Sequence, residues 1–418
     1  MRGGCRLKPK IRYYDGDINK GIIYDWDHIE KEYKKLKCPK NVWYPLKCDF
    51  RKARYSIAMS DRSRGKTTNP LLVGLIMYRD YGTVLHYFRN TKEECEPKTI
   101  RDMYDTILDH KYIEKIFDGK WNSIYYYGRR WYLCLVDDEG QILEKDPYNC
   151  VMCMGLDESG KYKSTYNCPR GDIIVFDEFV ADVFGYSDGK WFMDLCKTVF
   201  RDRLSGYIWM LSNTINLHSP WFDELVIRDH VNDIKAGECR YIELGAGRPT
   251  YHMELIAPDQ SEHRKKVNSL IFGIPNPKFA SITGSDVWAM EEYQHIPQYR
   301  QYDEFTQTYK IQEPEILFDR IYLEMSKRYV KLMLVLTPDL GICVYVVPAT
   351  KIYDDSFILT CGDIKDQRYI FAFGKGTFCD SIWELYRKNM FFYATNYEGA
   401  LIKGYISLAY SRLRAMGG

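Results

Sequence analysis

The stretch YSIAMSDRSRGKTTNPLLVGLIMYRDYG, residues 55–82, reads as a strand, a tight polar loop and a helix, in that order. YSIAM (55–59) has the β-branched and apolar character of a buried strand. PLLVGLIMYRDYG (70–82) has enough apolar residues for a buried helix that stops near Gly82. The loop between them ends in Gly65, Lys66 and Thr67, as a phosphate-binding loop does. Such a loop works because a strand delivers a turn whose N–H groups point inward; the lysine then reaches the phosphates and the hydroxyl ligates magnesium. Two features depart from that pattern. Ser60 stands in place of its first glycine, which a negative φ allows, and Pro70 is expected to distort the first helical turn. Gly-Lys-Thr alone leaves a basic turn as open a reading as a nucleotide site.

A second motif weighs in favour of the site. DIIVFDEF (172–179) is apolar on both faces through Ile173–Phe176, as a central parallel strand requires, and ends in two acids. Asp177 can hold magnesium and Glu178 can polarise an attacking water. YIWMLSNT (207–214) is a further apolar strand, whose Asn213 can sense the terminal phosphate or its water; it can equally begin a turn. KWFMDLCKTVFRDR (190–203) reads as a helix with one apolar face and with Arg201 and Arg203 at its end. An arginine there could reach a neighbouring subunit's nucleotide or simply satisfy helix carbonyls.

The remainder of the chain bounds these readings. At 418 residues it is long enough for two domains, and 45% hydrophobic with 28% charged residues is the profile of a globular protein. A net charge of +2 supplies no global basic field, so a polyanion would be met by a local patch. The start, MRGGCRLKPKIRYYDGD, has no apolar core of a signal peptide, and no run of about 18 apolar residues suggests a membrane span. The thirteen cysteines read as reduced thiols. Cys150 and Cys153 form a Cys-x-x-Cys pair, but only Cys168 lies near; strand cysteines are a better reading than zinc. Lys161 and Lys163, expected in a loop before the acid-bearing strand, could grip a polyanion's phosphates or belong to an ordinary flexible turn at Gly160.

Residues 258–310 read as a linker region between a domain at 1–257 and a second at 311–418. In the second, 329–336 and 342–347 read as a β-hairpin, 356–361 and 369–373 as further strands, and 379–393 and 397–416 as helices. The acids noted there, Asp339, Asp354, Asp355, Asp363 and Asp366, fall in turns or loops, where a two-metal nuclease would need them clustered on strands. A solvated charged face is the better reading of Lys327, Arg328, Lys331, Arg412 and Arg414, which could otherwise meet RNA or a partner surface.

SDRSRGKT, YGTVLHYFRNTKEE, GRRWY, IIVFDEF, TVFRDR, LSNTINLHSPWF and ALIKGYISLAYSRLRAM, in this order, resemble the DNA-packaging ATPases of small podophages, the phi-twenty-nine-like group. The resemblance implies an α/β P-loop NTPase of the additional-strand, catalytic-glutamate class with a mostly parallel sheet. It also implies a C-terminal α+β, RNase H-like degenerate nuclease domain that docks without cutting. It implies an ATP- and magnesium-dependent motor driving double-stranded DNA into a procapsid, as a homo-oligomeric, pentameric ring at the portal vertex in the host cytoplasm. A structural packaging RNA is a further candidate partner. Carried over residue by residue, Ser60, Arg62, Gly65, Lys66 and Thr67 fall in the nucleotide loop, Thr67 and Asp177 at the metal, and Glu178 at the catalytic base. Arg201 falls at the arginine finger, Lys92 at a lysine acting across the subunit boundary, and Asn213 at the sensor. Ser60 and Ser63 replace glycines, Arg64 an apolar residue and Asn90 a basic one. A complete terminase with an active nuclease, a P-loop kinase or switch, and a non-enzymatic assembly protein with a decayed loop stay open as alternatives.

Overall fold

Nine strands build the larger sheet, and their apolar runs explain its two covered faces. The computed structural model describes residues 11–61, 64–166, 168, 170–180, 188–213, 219, 221–257, 261–271, 293–297, 299–303, 308–325, 328–349, 351–361, 363–371, 378–395, 398–399, 401–406 and 409. A two-residue ladder, β1 (Arg12–Tyr13) with β2 (Ile22–Ile23), precedes the sheet. The sheet then comprises β3 (Tyr55–Ser60), β4 (Leu85–Arg89), β5 (Ser123–Tyr127), β6 (Arg130–Val136), β7 (Ile142–Gly155), β8 (Ile173–Asp177), β9 (Tyr207–Asn213), β10 (Cys239–Glu243) and β11 (Thr250–Leu255). Its order is β10-β11-β3-β9-β8-β4-β7-β6-β5. The run from β11 to β7 is parallel throughout, and β10, β6 and β5 add antiparallel edges.

Strand alternation assigns the side chains to two layers. Ile173, Val175, Trp209 and Leu211 face the helix Thr68–Tyr81, whose Leu71, Leu72, Leu75 and Ile76 are buried. Ile174, Phe176 and Met210 face the helix Asp188–Phe200 through Phe192, Leu195 and Val199. Each such fully buried side chain contributes about 1.5–3 kcal/mol of transfer free energy, so the continuous apolar runs of β8 and β9 hold the sheet between its helices.

The helix after the loop begins at Thr68, two residues earlier than 70–82 suggests. Pro70 therefore lies in the first turn, where proline is tolerated, one residue after Asn69, whose N–H bonds Gly65 O at 3.0 Å. Gly82 closes the helix at φ 71°, its N–H bonded to Tyr78 O at 2.9 Å. The segment read as a linker contains a helix, Glu262–Ile271, and the paired strands β12 (Tyr299–Asp303) and β13 (Thr308–Gln312).

A six-stranded sheet follows: β14 (Glu315–Met325), β15 (Arg328–Thr337), β16 (Gly341–Pro348), β17 (Phe357–Thr360), β18 (Tyr369–Phe371) and β19 (Phe391–Tyr393), in the order β18-β17-β14-β15-β16-β19. The hairpin read from 329–336 and 342–347 is β15 and β16. The helix expected over 379–393 is Phe378–Arg387, ended near Asn389 at φ 57° so that β19 can join β16. The helix expected over 397–416 is described only at 398–399, 401–406 and 409, all helical.

His86 on β4 carries a pH prediction. Its Nε2 lies 2.6 Å from the Tyr166 hydroxyl. Burial, reinforced by the Arg203 charge, pushes its pKa from the usual 6.5 down to about 3. Below pH 6.5 the unfolded chain protonates this ring while the folded chain does not until about 3, so stability is lost as pH falls through that window. Acidifying from about pH 7 to about pH 5 should cost about 2 kcal/mol at this site. Thermal melts across that range check it, and His86→Gln should flatten the slope.

Candidate active site

Because β3, β9, β8 and β4 are parallel neighbours, their carboxyl ends share one edge of the sheet. Ser60 pairs with Asn213, Asp177 with Leu211, and Phe88 with Phe176, which sets the loop after β3, the acids after β8 and the amide of β9 side by side. Lys66 Nζ donates to Ser60 Oγ at 2.6 Å, Asp61 O at 2.7 Å and Asn213 Oδ1 at 3.3 Å. Asn213 Nδ2 in turn lies 3.5 Å from Glu178 Oε1. Thr67 Oγ1 donates to Asp177 Oδ2 at 2.7 Å. The structure thus brings Ser60, Lys66, Thr67, Asp177, Glu178 and Asn213 together. Arg62 and Ser63 lie outside the described residues.

Burial lowers the Lys66 pKa to about 8, although Asp177 and Asp61 pull it upward. An ammonium held at that cost is suited to an anion that completes its charge balance. Gly65 has φ +73°, and a Cβ there would stand 2.6 Å from Asn69 Nδ2, so glycine is required at this position. Asn69 donates to Trp43 O at 2.6 Å and accepts from the Tyr33 hydroxyl at 2.7 Å, tying the loop's exit to the N-terminal segment. Ser60 replaces glycine as the last residue of an extended strand, where its hydroxyl serves Lys66.

Sequence reading missed Tyr87 and Arg89 beside the acids and gave Asn90 only as a departure from a basic family residue. Tyr87 donates to Asp177 Oδ2 at 2.7 Å. Arg89 Nη2 donates to Glu178 Oε2 and to Glu94 Oε1, each at 2.7 Å, and its Nη1 lies 3.5 Å from Asp177. Burial opposes the Arg89 charge, but Tyr87, Asp177 and Glu178 outweigh it and raise its pKa. Asn90 Nδ2 donates to Glu178 O at 2.8 Å. That bond supports Glu178 in the left-handed region at φ 54°, a strained setting for a non-glycine residue. The signal available was the polar Arg-Asn pair ending the apolar run of β4; its targets lie on another strand and leave no local trace.

The remaining candidates lie apart from this cluster. Lys92, about half exposed, is 3.6 Å from Glu93. Lys161 lies on a short helix, Ser159–Thr165, rather than in a loop, and donates to buried Glu158 at 3.0 Å. Lys163 shares that helix backbone. Gly160, read as a turn residue, is taken up in the helix, which explains the difference. Arg201 follows the helix Asp188–Phe200 at the opposite, amino-end edge of the sheet. It lines a cleft of about 1260 Å³ together with Tyr13, Gly82, Arg170 and Asp172. Arg203 is the arginine that satisfies helix carbonyls: it donates to Val199 O and to Asp172 Oδ1, both at 2.6 Å.

Cys150 and Cys153 are buried on β7, and none of the twelve described cysteines forms a disulfide. Among the described residues no group of three His, Cys, Asp or Glu side chains is placed to hold a metal, and no helix is long and apolar enough to cross a membrane. A magnesium ion needs only one or two protein oxygens beside those of a nucleotide, and Thr67 Oγ1 with the Asp177 carboxylate fits that need.

Asp339, Asp354, Asp355, Asp363 and Asp366 lie in turns or loops, as expected, but two acids that the sequence reading did not consider lie on a strand of the second sheet. Asp319 and Glu324 both lie on β14, a strand that its mixed charges conceal in the sequence. Each is neutralised: Lys331 Nζ donates to Asp319 at 2.6 Å with Arg320 beside it, while Lys365, Thr360 and Tyr329 donate to Glu324. Lys331 is thereby engaged within the sheet. Lys327, Arg412 and Arg414 lie outside the described residues, as does the side chain of Arg328.

Among solved structures, the chain is similar to the Phi-28 gp11 DNA packaging motor, with a TM-score of 0.52 and 15% identity over 88% of this chain and 97% of that one. It shares the fold of a DNA packaging motor. Two other solved structures give lower scores. The bacteriophage Phi-29 viral genome packaging motor assembly gives a TM-score of 0.49 and 15% identity, covering 90% and 100% of the two chains. The N-terminal domain of the DNA packaging ATPase from bacteriophage phi29 gives 0.38 and 20% identity, covering 53% and 97%. No protein-family model and no curated protein matches the sequence. The shared fold is α/β, with a large, mostly parallel, P-loop-like sheet.

Proposed function

We propose that this chain is an ATP-driven motor that moves double-stranded viral DNA into a preformed procapsid. The observation that carries the reading is the 2.7 Å bond from Thr67 to Asp177, which joins the loop after β3 to the acid at the end of β8. β9 lies between β3 and β8, as the additional-strand class of P-loop ATPases requires. In this reading Ser60, Arg62, Gly65, Lys66 and Thr67 hold the triphosphate, and Thr67 with Asp177 holds magnesium, which supplies charge neutralisation at the β- and γ-phosphates. Glu178 accepts the proton of the attacking water. Asn213, between Lys66 and Glu178, reports the state of the terminal phosphate to the acid. Asn213→Ala should lower kcat about tenfold with little change in ATP affinity; steady-state kinetics beside a nucleotide-binding titration measures both.

Residues 1–257 form the ATPase domain in this reading, 258–310 the connection and 311–418 a docking domain. The order β18-β17-β14-β15-β16, with an antiparallel β14-β15-β16 meander and parallel β17, supports an RNase H-like domain. The lysines on Asp319 and Glu324 support its being a degenerate nuclease. The working form is a homo-oligomeric, pentameric ring at the portal vertex in the host cytoplasm, with Lys92 and Arg201 acting on the neighbour's nucleotide. Lys161 and Lys163 are the DNA contacts of this reading, and a structural packaging RNA is a further partner.

The deciding experiment is ATP hydrolysis measured with and without duplex DNA and assembled empty shells. Stimulation by both is expected. Hydrolysis indifferent to DNA and to oligomeric state would instead mark a kinase-like or switch protein.

A further inference from the structure

The antiparallel edge β5-β6-β7 carries a feature the ATPase site does not use. Ile124, Tyr126, Trp131 and Leu133 turn to the core. Alternation then sets Tyr125, Tyr127, Arg130 and Tyr132 on the other face, where Tyr125 pairs with Tyr132, Tyr127 with Arg130, and Cys134 with Lys145. The Tyr125 and Tyr127 rings are nearly parallel, 11° between planes and 6.3 Å between centroids. Tyr132 lies 6.5 Å from Tyr125, and the Lys145 ammonium sits 3.5 Å over the Tyr125 ring. Tyr127 is 68% exposed. No Asp or Glu occupies any of these register positions.

A sheet face with one exposed and two half-buried tyrosine rings, flanked by cations and with no carboxylate at its register positions, has the chemistry of a stacking surface for bases. Aromatic rings stack on any base, and Lys and Arg neutralise the phosphates between them. Bases inside a duplex keep their faces to one another, so only unpaired nucleotides can use such rings. An acidic protein segment would meet the two cations but leave the rings unmatched.

We propose that this face binds unpaired nucleotides of DNA, with Tyr125, Tyr127 and Tyr132 as stacking rings and Lys145 and Arg130 as phosphate contacts. That the occupant is DNA rests on the motor reading above, since DNA is then the polymer the chain meets; the stacking chemistry does not.

The test is fluorescence anisotropy of the full chain with labelled oligothymidine, against oligouridine and a duplex of equal length, without nucleotide. Oligothymidine should bind more tightly than either. Tyr127→Ala and Lys145→Ala should each weaken it about tenfold, and Tyr127→Phe should restore wild-type affinity. Lys145→Ala should also flatten the salt dependence. Three results overturn the proposal: no oligothymidine binding, variants that bind as wild type does, or a duplex that binds equally well. Tighter oligouridine binding overturns DNA as the occupant. Loss of self-association or shell docking with DNA binding unchanged makes this a protein contact and overturns it too. Melting temperature and basal ATP hydrolysis, expected unchanged in these variants, are read in parallel. A chain that binds oligothymidine but never hydrolyses ATP sinks the motor reading and leaves this one standing.

Discussion

Glu178→Gln should retain ATP binding and lose hydrolysis by about 10²–10⁴-fold, the range a general base supplies. The two acids after β8 are not interchangeable in this respect. Asp177 is nearly buried; its Oδ2 already accepts from Thr67 and Tyr87, and Arg89 stands 3.5 Å away. That crowding suits a metal ligand and leaves no approach for a water's proton. The Glu178 side chain is 46% exposed, held at Oε2 by Arg89 and only loosely at Oε1 by Asn213. Glutamine keeps the shape and the exposure but gives up the basic oxygen and weakens the Arg89 contact. Nucleotide affinity, which the proposed function assigns to Lys66 and the loop, should change less than threefold. A fluorescent ATP analogue measures affinity and phosphate release measures turnover. Turnover within a few-fold of wild type would remove Glu178 from the role of base, and loss of binding would show that the substitution had damaged the loop instead.

The sequence made the centre of this site readable because central parallel strands announce themselves. β3, β8 and β9 are buried on both faces, so their apolar runs are nearly unbroken, and the polar residues that end them mark the edge where ligands bind. What surrounds the centre was not readable in the same way. Tyr87, Arg89 and Asn90 act on residues about ninety positions away, and no local pattern encodes such a pairing. β14 escaped because Asp319, Arg320 and Glu324 interrupt its apolar pattern; their partners on neighbouring segments appear only once the sheet is built. Lys161 was set in a loop because Gly160 reads as a breaker, yet glycine costs only about 1 kcal/mol in a helix. The apolar run suggests a helix start two residues late, because Thr68 and Asn69 are polar although they already belong to the first turn that holds Pro70.

Arg201→Ala should reduce ATP turnover in assembled rings by about 10³-fold, the lower end of what an arginine finger supplies, while leaving the isolated chain's fold and nucleotide binding unaffected. Arg201 cannot reach Glu178 of its own chain. It lies beyond the amino end of β8, and the five residues of that strand place about 16 Å between the two edges of the sheet. It is exposed, with its guanidinium donating to Tyr166 O at 2.9 Å, and it adopts φ 51° where the chain leaves the helix. Arg203, two residues on, is the opposite case: buried and paired with Asp172, it holds the amino end of the sheet together. Removing Arg203 should lower the melting temperature; removing Arg201 should not, and that contrast separates a contact made across a subunit boundary from one made within the fold. Mixed rings complete the test. In the proposed ring an Arg201→Ala subunit would keep its nucleotide site and a Glu178→Gln subunit its arginine, so a mixed ring would have some interfaces with every group in place. Such rings should recover part of the lost turnover, in proportion to the number of complete interfaces. Well-assembled mixed rings with no recovery would mean that the cleft around Arg201 faces something other than the neighbour's nucleotide.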